Sequence, residues 1–381
     1  MPEGPLAGIR ILELAAIGPV PFGVMLLADL GATVTRVDRV SSITAPSTEE
    51  VSMRGLSRGR RSIAVDLKHA EGRAVVLGLA AASDVFVEGF RPGVAERLGI
   101  GPEECSARNA ALIYARVTGW GQDGPLAQTV GHDIDYLAVA GALHPIGRAD
   151  GPPPPPLNLI ADFGGGGLYL ALGVLAALVQ RQRSGLGQVV DVAMVDGVAS
   201  LTTFLHGLMS LDGWTAQRQA NLLDGGRPWY DTYATADGHA MAVGAIEPQF
   251  CAALLATLDL PAADWPQHDP ATWPSLRQEL TRIFATRSRD EWERTFVGTD
   301  ACVAPVLALD EAPRHPHLVA RRTFVDVGGA TLPAPAPRLS RTPGAAGAPA
   351  PGIGQHTDEV LAELGLDAHR ITALRAVDAV G

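Results

Sequence analysis

The sequence predicts an α/β fold: a large Rossmann-like domain on a parallel sheet, plus a smaller α+β domain. Three observations predict it. The 381 residues are enough for two domains. Short apolar runs alternate with helical segments through roughly the first third of the chain, as in successive βαβ units. After about Arg227 the texture changes to short aromatic strands and amphipathic helices.

The elements follow in order. Ile9-Arg10-Ile11-Leu12-Glu13-Leu14 is a strand-like apolar run, and Ile17 to Pro21 is a Gly/Pro turn. Phe22 to Leu30 reads as a helix stopped by Gly31, and Ala32 to Val37 as the second strand. Further strands are predicted at Ile63–Val65, Val85–Val87 and Leu112–Val117, with helices at Glu71–Ala82 and Val94–Leu98. The turn Gly18-Pro19-Val20-Pro21-Phe22-Gly23 lacks the G-x-G-x-x-G spacing that lets backbone approach a pyrophosphate, which argues against an NAD-dependent oxidoreductase. Gly151 and Pro152 to Pro156 form a stiff spacer. Beyond it come Asn158–Phe163, the glycines 164–167 and an apolar helix ending near Arg183. Val189 to Ala193 is another strand candidate, and residues 195–225 look helical. Strands near Trp229–Tyr233 and Ala240–Val243, with helices Pro248–Leu258 and Trp273–Phe284, make the smaller domain. Ala334 to Pro351 reads as a surface loop, and His356 to Leu364 as a last amphipathic helix. The expected boundaries are 1–190 for the large domain, 191–227 for linker helices, 228–300 for the small domain, 301–320 for a second linker and 321–381 for a return to the large domain.

Composition narrows the function. Hydrophobic residues at 47% and charged residues at 19% describe an ordinary globular protein. A net charge of −11 argues against nucleic-acid binding. Residues 1–100 hold eleven Lys/Arg and eleven Asp/Glu, so this region is the least hostile to an anionic ligand. Lys68 is the only lysine, a point charge suited to a phosphate. Cys105, Cys251 and Cys302 have neither metal nor disulfide spacing, so no metal site is expected and a reducing, cytoplasmic setting is. Met1 to Leu14 does not read as a signal peptide. The apolar run Leu168–Val179 is short for a bilayer, so a buried helix and no membrane partner are expected.

Two segments carry chemistry: Gly131-His132-Asp133-Ile134-Asp135-Tyr136, and Asn158 to Phe163 with its glycine run. A histidine and a carboxylate on opposite sides of one carbon can carry a proton from one face to the other. His132 and Asp162 therefore point to a racemase without a cofactor. Asp162 also reads as a helix N-cap, beside amides able to hold an enolate oxygen. Glycines 164–167 would allow close approach of a ligand. Asp133 either supports the site or caps the helix beginning near Ile134.

The chain resembles the family III CoA-transferases, and among them the α-methylacyl-CoA racemases. The resemblance rests on Val65-Asp66-Leu67-Lys68, Glu88-Gly89-Phe90-Arg91-Pro92-Gly93, Gly119-Trp120-Gly121-Gln122, Gly131-His132-Asp133, Asp162-Phe163-Gly164-Gly165-Gly166 and Ala245-Ile246-Glu247-Pro248-Gln249-Phe250, in that order. It implies that His132 is a general base, with Asp162 as the second acid/base group. Glu247 of a neighbouring subunit would hydrogen-bond that histidine. The implied substrates are 2-methyl-branched acyl-CoA thioesters, bound without any further cofactor. Backbone near Val65, Leu67 and Lys68 would meet the adenine, and Lys68, Arg39, Arg58, Arg91 and Arg97 are candidates for the phosphates. Gly89 and Tyr230 complete the candidate substrate set. An interlocked homodimer is also implied, with linkers near 190–227 and 300–320. The alternative is a CoA transferase using Asp162 as a nucleophile; His132 is the residue that separates the two, since the transferases typically lack it.

Overall fold

A computed structural model describes residues 4–48 and 53–381. By its internal contacts the chain forms two units. The first is Met1–Ala140, Pro156–Leu201 and Pro316–Gly381; the second is Gly141–Pro155 and Thr202–His315.

The first unit is built on six parallel strands: β1 (Arg10–Leu14), β2 (Thr33–Asp38), β3 (Arg60–Ala64), β4 (Val85–Glu88), β5 (Ile113–Thr118) and β6 (Val189–Ala193). Their order is β3-β2-β1-β4-β5-β6. Each pair runs parallel, with Leu12 opposite Thr35 and Phe86, and Ala115 opposite Val87 and Val190. This is the Rossmann order, in which the connections reverse between β1 and β4. The period-2 alternation of strand side chains sorts the core onto two faces. Leu12, Leu14, Ile63 and Phe86 pack with Val76 and Leu79 of α2 (Ala70–Ala81), and with Leu361 and Leu374. Ile11, Val34, Val85 and Val87 pack on the other face with Val24 and Leu27 of α1 (Pro19–Asp29).

The remaining helices of this unit are α3 (Val94–Leu98), α4 (Pro102–Arg108), α5 (Asp133–Val139), α6 (Leu168–Ser184) and α7 (Met194–Leu201), with α12 (Pro316–Ala320), α13 (Thr357–Glu363) and α14 (Ala368–Ala376) near its end. A π-helical stretch, Leu159–Gly167, runs directly into α6 and makes one continuous helix of 26 residues. By length and composition alone this helix is long and apolar enough to cross a membrane, a test that the core helix of a globular protein also passes. One face is buried through Leu170, Val174 and Leu178 against the sheet. The other face leaves Leu168, Leu172 and Val179 exposed, so the expectation of a buried helix is corrected: the helix is buried on one side only.

The second unit holds α8 (Thr203–Met209), the antiparallel sheet β7 (Tyr230–Ala234), β8 (Ala240–Gly244) and β9 (Val303–Pro305), and α9 (Pro248–Thr257), α10 (Trp273–Phe284) and α11 (Arg289–Phe296). Its core is aromatic: Phe284 stacks on Tyr233 at 5.3 Å and meets Trp292 edge-on at 5.2 Å.

Three boundaries differ from the sequence reading. Residues 141–155 belong with the second unit, because Arg148 pairs with Asp231 and the Ala149 amide donates to Gln219. Helix α7 belongs to the first unit instead of a linker, packed against the π-helical stretch. Helix ends at Met209 where more had been expected; residues 214–226 are a turn network around buried Asn221, whose side chain bonds Thr215, Gln217 and Asp224.

Candidate active site

In doubly wound sheets a ligand binds outside the carboxyl ends of the strands, where the order reverses. Here that point lies beyond Leu14 and Glu88. A cavity of about 410 Å³ opens there, lined by the segments that follow β1, β4 and β5 and by residues of α5 and the π-helical stretch. His132, Asp162, Asn158, Arg91, Gly89 and Trp120 are among its walls. A second cavity of about 340 Å³ adjoins it, sharing Ile17, Gly89 and Phe90, and carries Arg39.

His132 caps the start of α5 and is exposed to the cavity. Its own amide donates to Asp135 Oδ2 at 2.9 Å, closing the first turn. The Tyr136 hydroxyl donates to the Gly131 carbonyl, just ahead of the histidine. The Tyr136 ring meets Trp120 edge-on at 4.9 Å. Gly119 must be glycine, since a Cβ there would lie 2.2 Å from the Tyr136 ring. Burial and the nearby Asp162 push the Tyr136 phenol up to about 12, so it stays protonated as a donor.

Asp162 is half-buried within the first turn of the π-helical stretch. Its carboxylate lies against Gly18, the residue before α1, where a Cβ would come 3.0 Å from Oδ2. Gly18 has φ +68°, which favours glycine in any case. Asn158 Nδ2 lies 3.4 Å from Oδ2. Burial raises the Asp162 pKa first, Asp133 raises it further, and Asn158 and His132 pull it back. A carboxyl raised in this way is better matched to proton transfer near neutrality.

Three expectations about this segment are corrected. Asp162 is not the N-cap, because the helix already starts at Leu159. Two amides expected to be free for an enolate are occupied: Asp133 Oδ2 accepts the Ala161 and Asp162 N–H groups at 2.9 and 2.8 Å. The glycines serve packing more than ligand approach. A Cβ on Gly165 would meet Val198 N at 2.9 Å, one on Gly166 would meet Pro19 Cβ at 2.6 Å, and one on Gly167 would meet Phe22 at 2.6 Å. Their absence brings α1 and α7 against the helix that carries Asp162.

The other candidates divide sharply. Arg39 and Arg91 are exposed on the cavity walls and, among the described residues, have no ion-pair partner. Arg58 is not available to a phosphate: it is 3% exposed and donates from Nε and Nη2 to Asp29. Val65, Leu67 and Lys68 lie at the end of β3, two strands from the reversal point and outside both cavity linings. There Arg73 donates to the Leu67 and Lys68 carbonyls. Arg97 is exposed on α3, also outside the linings. Tyr230 and Glu247 belong to the second unit, where Tyr230 starts β7 and Glu247 stands exposed before α9. Among the described residues no cluster of His, Cys, Asp and Glu is able to hold a metal ion.

The sequence reading missed Gly18, Asn158, Trp120 and Tyr136. The Gly18-Pro19 pair was a usable signal, marking the turn after the first strand. Tyr136 and Trp120 lay within quoted motifs, but their contact needs the fold.

A family model described as CoA-transferase family III matches residues 6–357. The chain is 47% identical to the α-methylacyl-CoA racemase of Mus musculus over 97% of its length and 96% of that protein's. It is 45% identical to the Homo sapiens α-methylacyl-CoA racemase, with the same coverage. A crystal structure of a CaiB/BaiF family protein from Brucella suis superposes with a TM-score of 0.82 at 26% identity, over 95% of this chain and all of that one. With the family model spanning most of the sequence and two relatives matched end to end, this chain belongs to the CoA-transferase family III.

Proposed function

We propose that this protein is a racemase of 2-methyl-branched acyl-CoA thioesters, moving the α-proton between His132 and Asp162 through an enolate. The observation that carries this reading is one cavity at the reversal point of the sheet, walled by a histidine from α5 and by a carboxylate from a separate helix. Full-length similarity to two α-methylacyl-CoA racemases supports it against the transferase alternative.

The chemistry needs two groups that each hold or release a proton near neutral pH. Histidine does so by nature. Asp162 is brought closer to that range by burial and by Asp133. One group removes the proton, the thioester carbonyl takes up the charge as an enolate, and the other returns a proton to the opposite face. The roles reverse with the handedness of the substrate. Neither group needs a redox cofactor for this step.

The phosphates of CoA are anionic and fit the exposed Arg39 and Arg91. The backbone of Val65, Leu67 and Lys68 lies beyond the carboxyl end of β3, and we keep that backbone, without the Lys68 side chain, as a contact for the adenine end. Glu247, an exposed carboxylate on the second unit, is proposed to orient His132 of a neighbouring subunit. A homodimer would also cover Leu168, Leu172 and Val179 on α6. Light scattering should then give the mass of two chains, and the mass of one would sink both the dimer and the shared site.

The decisive experiment follows deuterium from solvent into Cα of each 2-methylacyl-CoA enantiomer. Wild-type protein should incorporate it from both hands without an acid acceptor, and His132→Ala should abolish it. CoA transfer that depends on an added acid, with no exchange at Cα, would establish the transferase instead.

A further inference from the structure

We infer that Asp133 is a positioning residue: its buried carboxylate holds the backbone of Asp162, so one turn of α5 sets both proton-transfer groups. The inference rests on the racemase reading for its kinetic consequence, but its structural part stands without it.

Asp133 follows His132 directly and is 8% exposed. It does not cap its own helix. Its Oδ2 reaches across to the start of another helix and accepts two consecutive amides, at 2.9 and 2.8 Å. Charge-assisted bonds to buried amides are the strong kind. The carboxyl group of Asp162 has a weaker hold of its own, the 3.4 Å approach of Asn158. The place of Asp162 is therefore set mainly by its backbone, and that backbone is gripped by Asp133.

The same turn fixes the opposite group. Asp135 takes the amide of His132, and Tyr136 donates to the carbonyl of Gly131. The distance between the two groups is thus written into residues 131–136, not into the two helices separately. A displacement of about 1 Å between reacting groups costs roughly 100-fold in rate, so such a device has a measurable effect.

Asp133 also acts by charge. It is the second cause of the raised Asp162 pKa, after burial. The groups facing Asp162 are Asp133 and His132 from the α5 segment, and Asn158. From the loop before α1 the backbone of Gly18 approaches. Tyr136 is close enough for its phenol to be affected by the Asp162 charge. Removing the Asp133 charge while keeping an acceptor should therefore lower the Asp162 pKa without moving it.

Two variants separate position from charge. Asp133→Asn keeps one carbonyl oxygen for the two amides. It should keep slow hydrogen exchange at Ala161 and Asp162, lose only a few-fold in kcat, and shift the pH limb that reports Asp162 to lower pH. Asp133→Ala removes the acceptor. It should speed hydrogen exchange at those two amides and lower kcat roughly 100-fold, with little change in KM. If Asp133→Asn is as inactive as Asp133→Ala while its amides stay protected, Asp133 transfers protons itself and the inference fails. It fails too if the amides of a folded Asp133→Ala protein exchange as slowly as in wild type. Should Asp133→Ala not fold, the Asn variant still decides, through its amide exchange and its pH profile. Amide exchange needs no turnover. A wild-type protein without α-proton exchange would thus overturn the racemase reading and leave the clamp to be judged separately.

Discussion

Two groups of arginines stand at strand ends of the large sheet, one at the start of β3 and one beyond the carboxyl ends of β2 and β4, and they do opposite things. On the β3 side, Arg60 is fully buried and pairs with buried Glu13 at 2.5 Å, while its other donors reach the Leu56 and Pro21 carbonyls. Arg58 is held by Asp29 in the same way and donates to the Pro333 carbonyl. At the reversal point, Arg39 and Arg91 extend from strand ends into open cavities. All four read alike in a sequence, as a basic residue in the one stretch without excess acid. Only burial separates a brace of the fold from a docking charge. A buried guanidinium must be paired or it destabilises the fold, while an exposed one is free to meet an anion.

The largest expected effect breaks the buried side. Arg60→Ala leaves the Glu13 carboxyl without its partner at full burial, and should cost about 3–5 kcal/mol in denaturant unfolding. Activity per folded molecule should stay close to wild type. A loss under 1 kcal/mol would mean that the buried pair contributes little. Next comes the open side. Arg91→Ala should raise KM for the CoA thioester roughly ten-fold with kcat unchanged, and the effect should shrink as salt is added. A fall in kcat instead would put Arg91 in the chemistry.

Glu88 tests the border between the two groups. It is buried at the end of β4, accepts the Phe90 amide at 2.6 Å and lies 3.5 Å from Arg116 Nε. Burial raises its pKa to about 7. The folded state therefore binds its proton more tightly than the unfolded state. The stability this contributes is complete below about pH 4.5 and is lost as pH rises through about 7. Glu88→Gln should flatten that part of a stability–pH curve, and an unchanged slope would show that Glu88 does not titrate there. The smallest effect is expected of Lys68→Ala. An exposed lysine outside both cavities should shift unfolding by no more than about 0.5 kcal/mol. Its KM should stay within about two-fold of wild type, and a ten-fold rise would return Lys68 to the phosphates.

Much of the large unit was legible in the sequence. The six parallel strands fall within three residues of the apolar runs that predicted them, because buried parallel strands are nearly continuous in Val, Ile, Leu and Ala. The third strand begins three residues early, at Arg60, since a charged residue hides the strand until its partner Glu13 is known. Helix α1 begins at Pro19 instead of Phe22, as proline is welcome in a first turn. Helices α4 and α11 and the hairpin β10 (Phe324–Val327) and β11 (Ala330–Pro333) were not foreseen. They are short, and α11 is mostly charged, with only Trp292 and Phe296 to mark its apolar side.

By itself the sequence determined the alternation of strands and helices, the missing dinucleotide turn, and the presence of a histidine and an aspartate in motifs of one family. Those are properties of neighbouring residues, written in local periodicity and residue type. The tertiary structure alone decided which arginines are free, why glycines 165–167 are glycines, and where the carboxylate of Asp133 is used. Each depends on segments far apart in the chain: Asp133 grips amides nearly thirty residues away, and Arg60 meets a glutamate 47 residues before it. Burial and partner geometry exist only once those segments have met, and they turn the same side chain into a brace, a clamp or a binding charge.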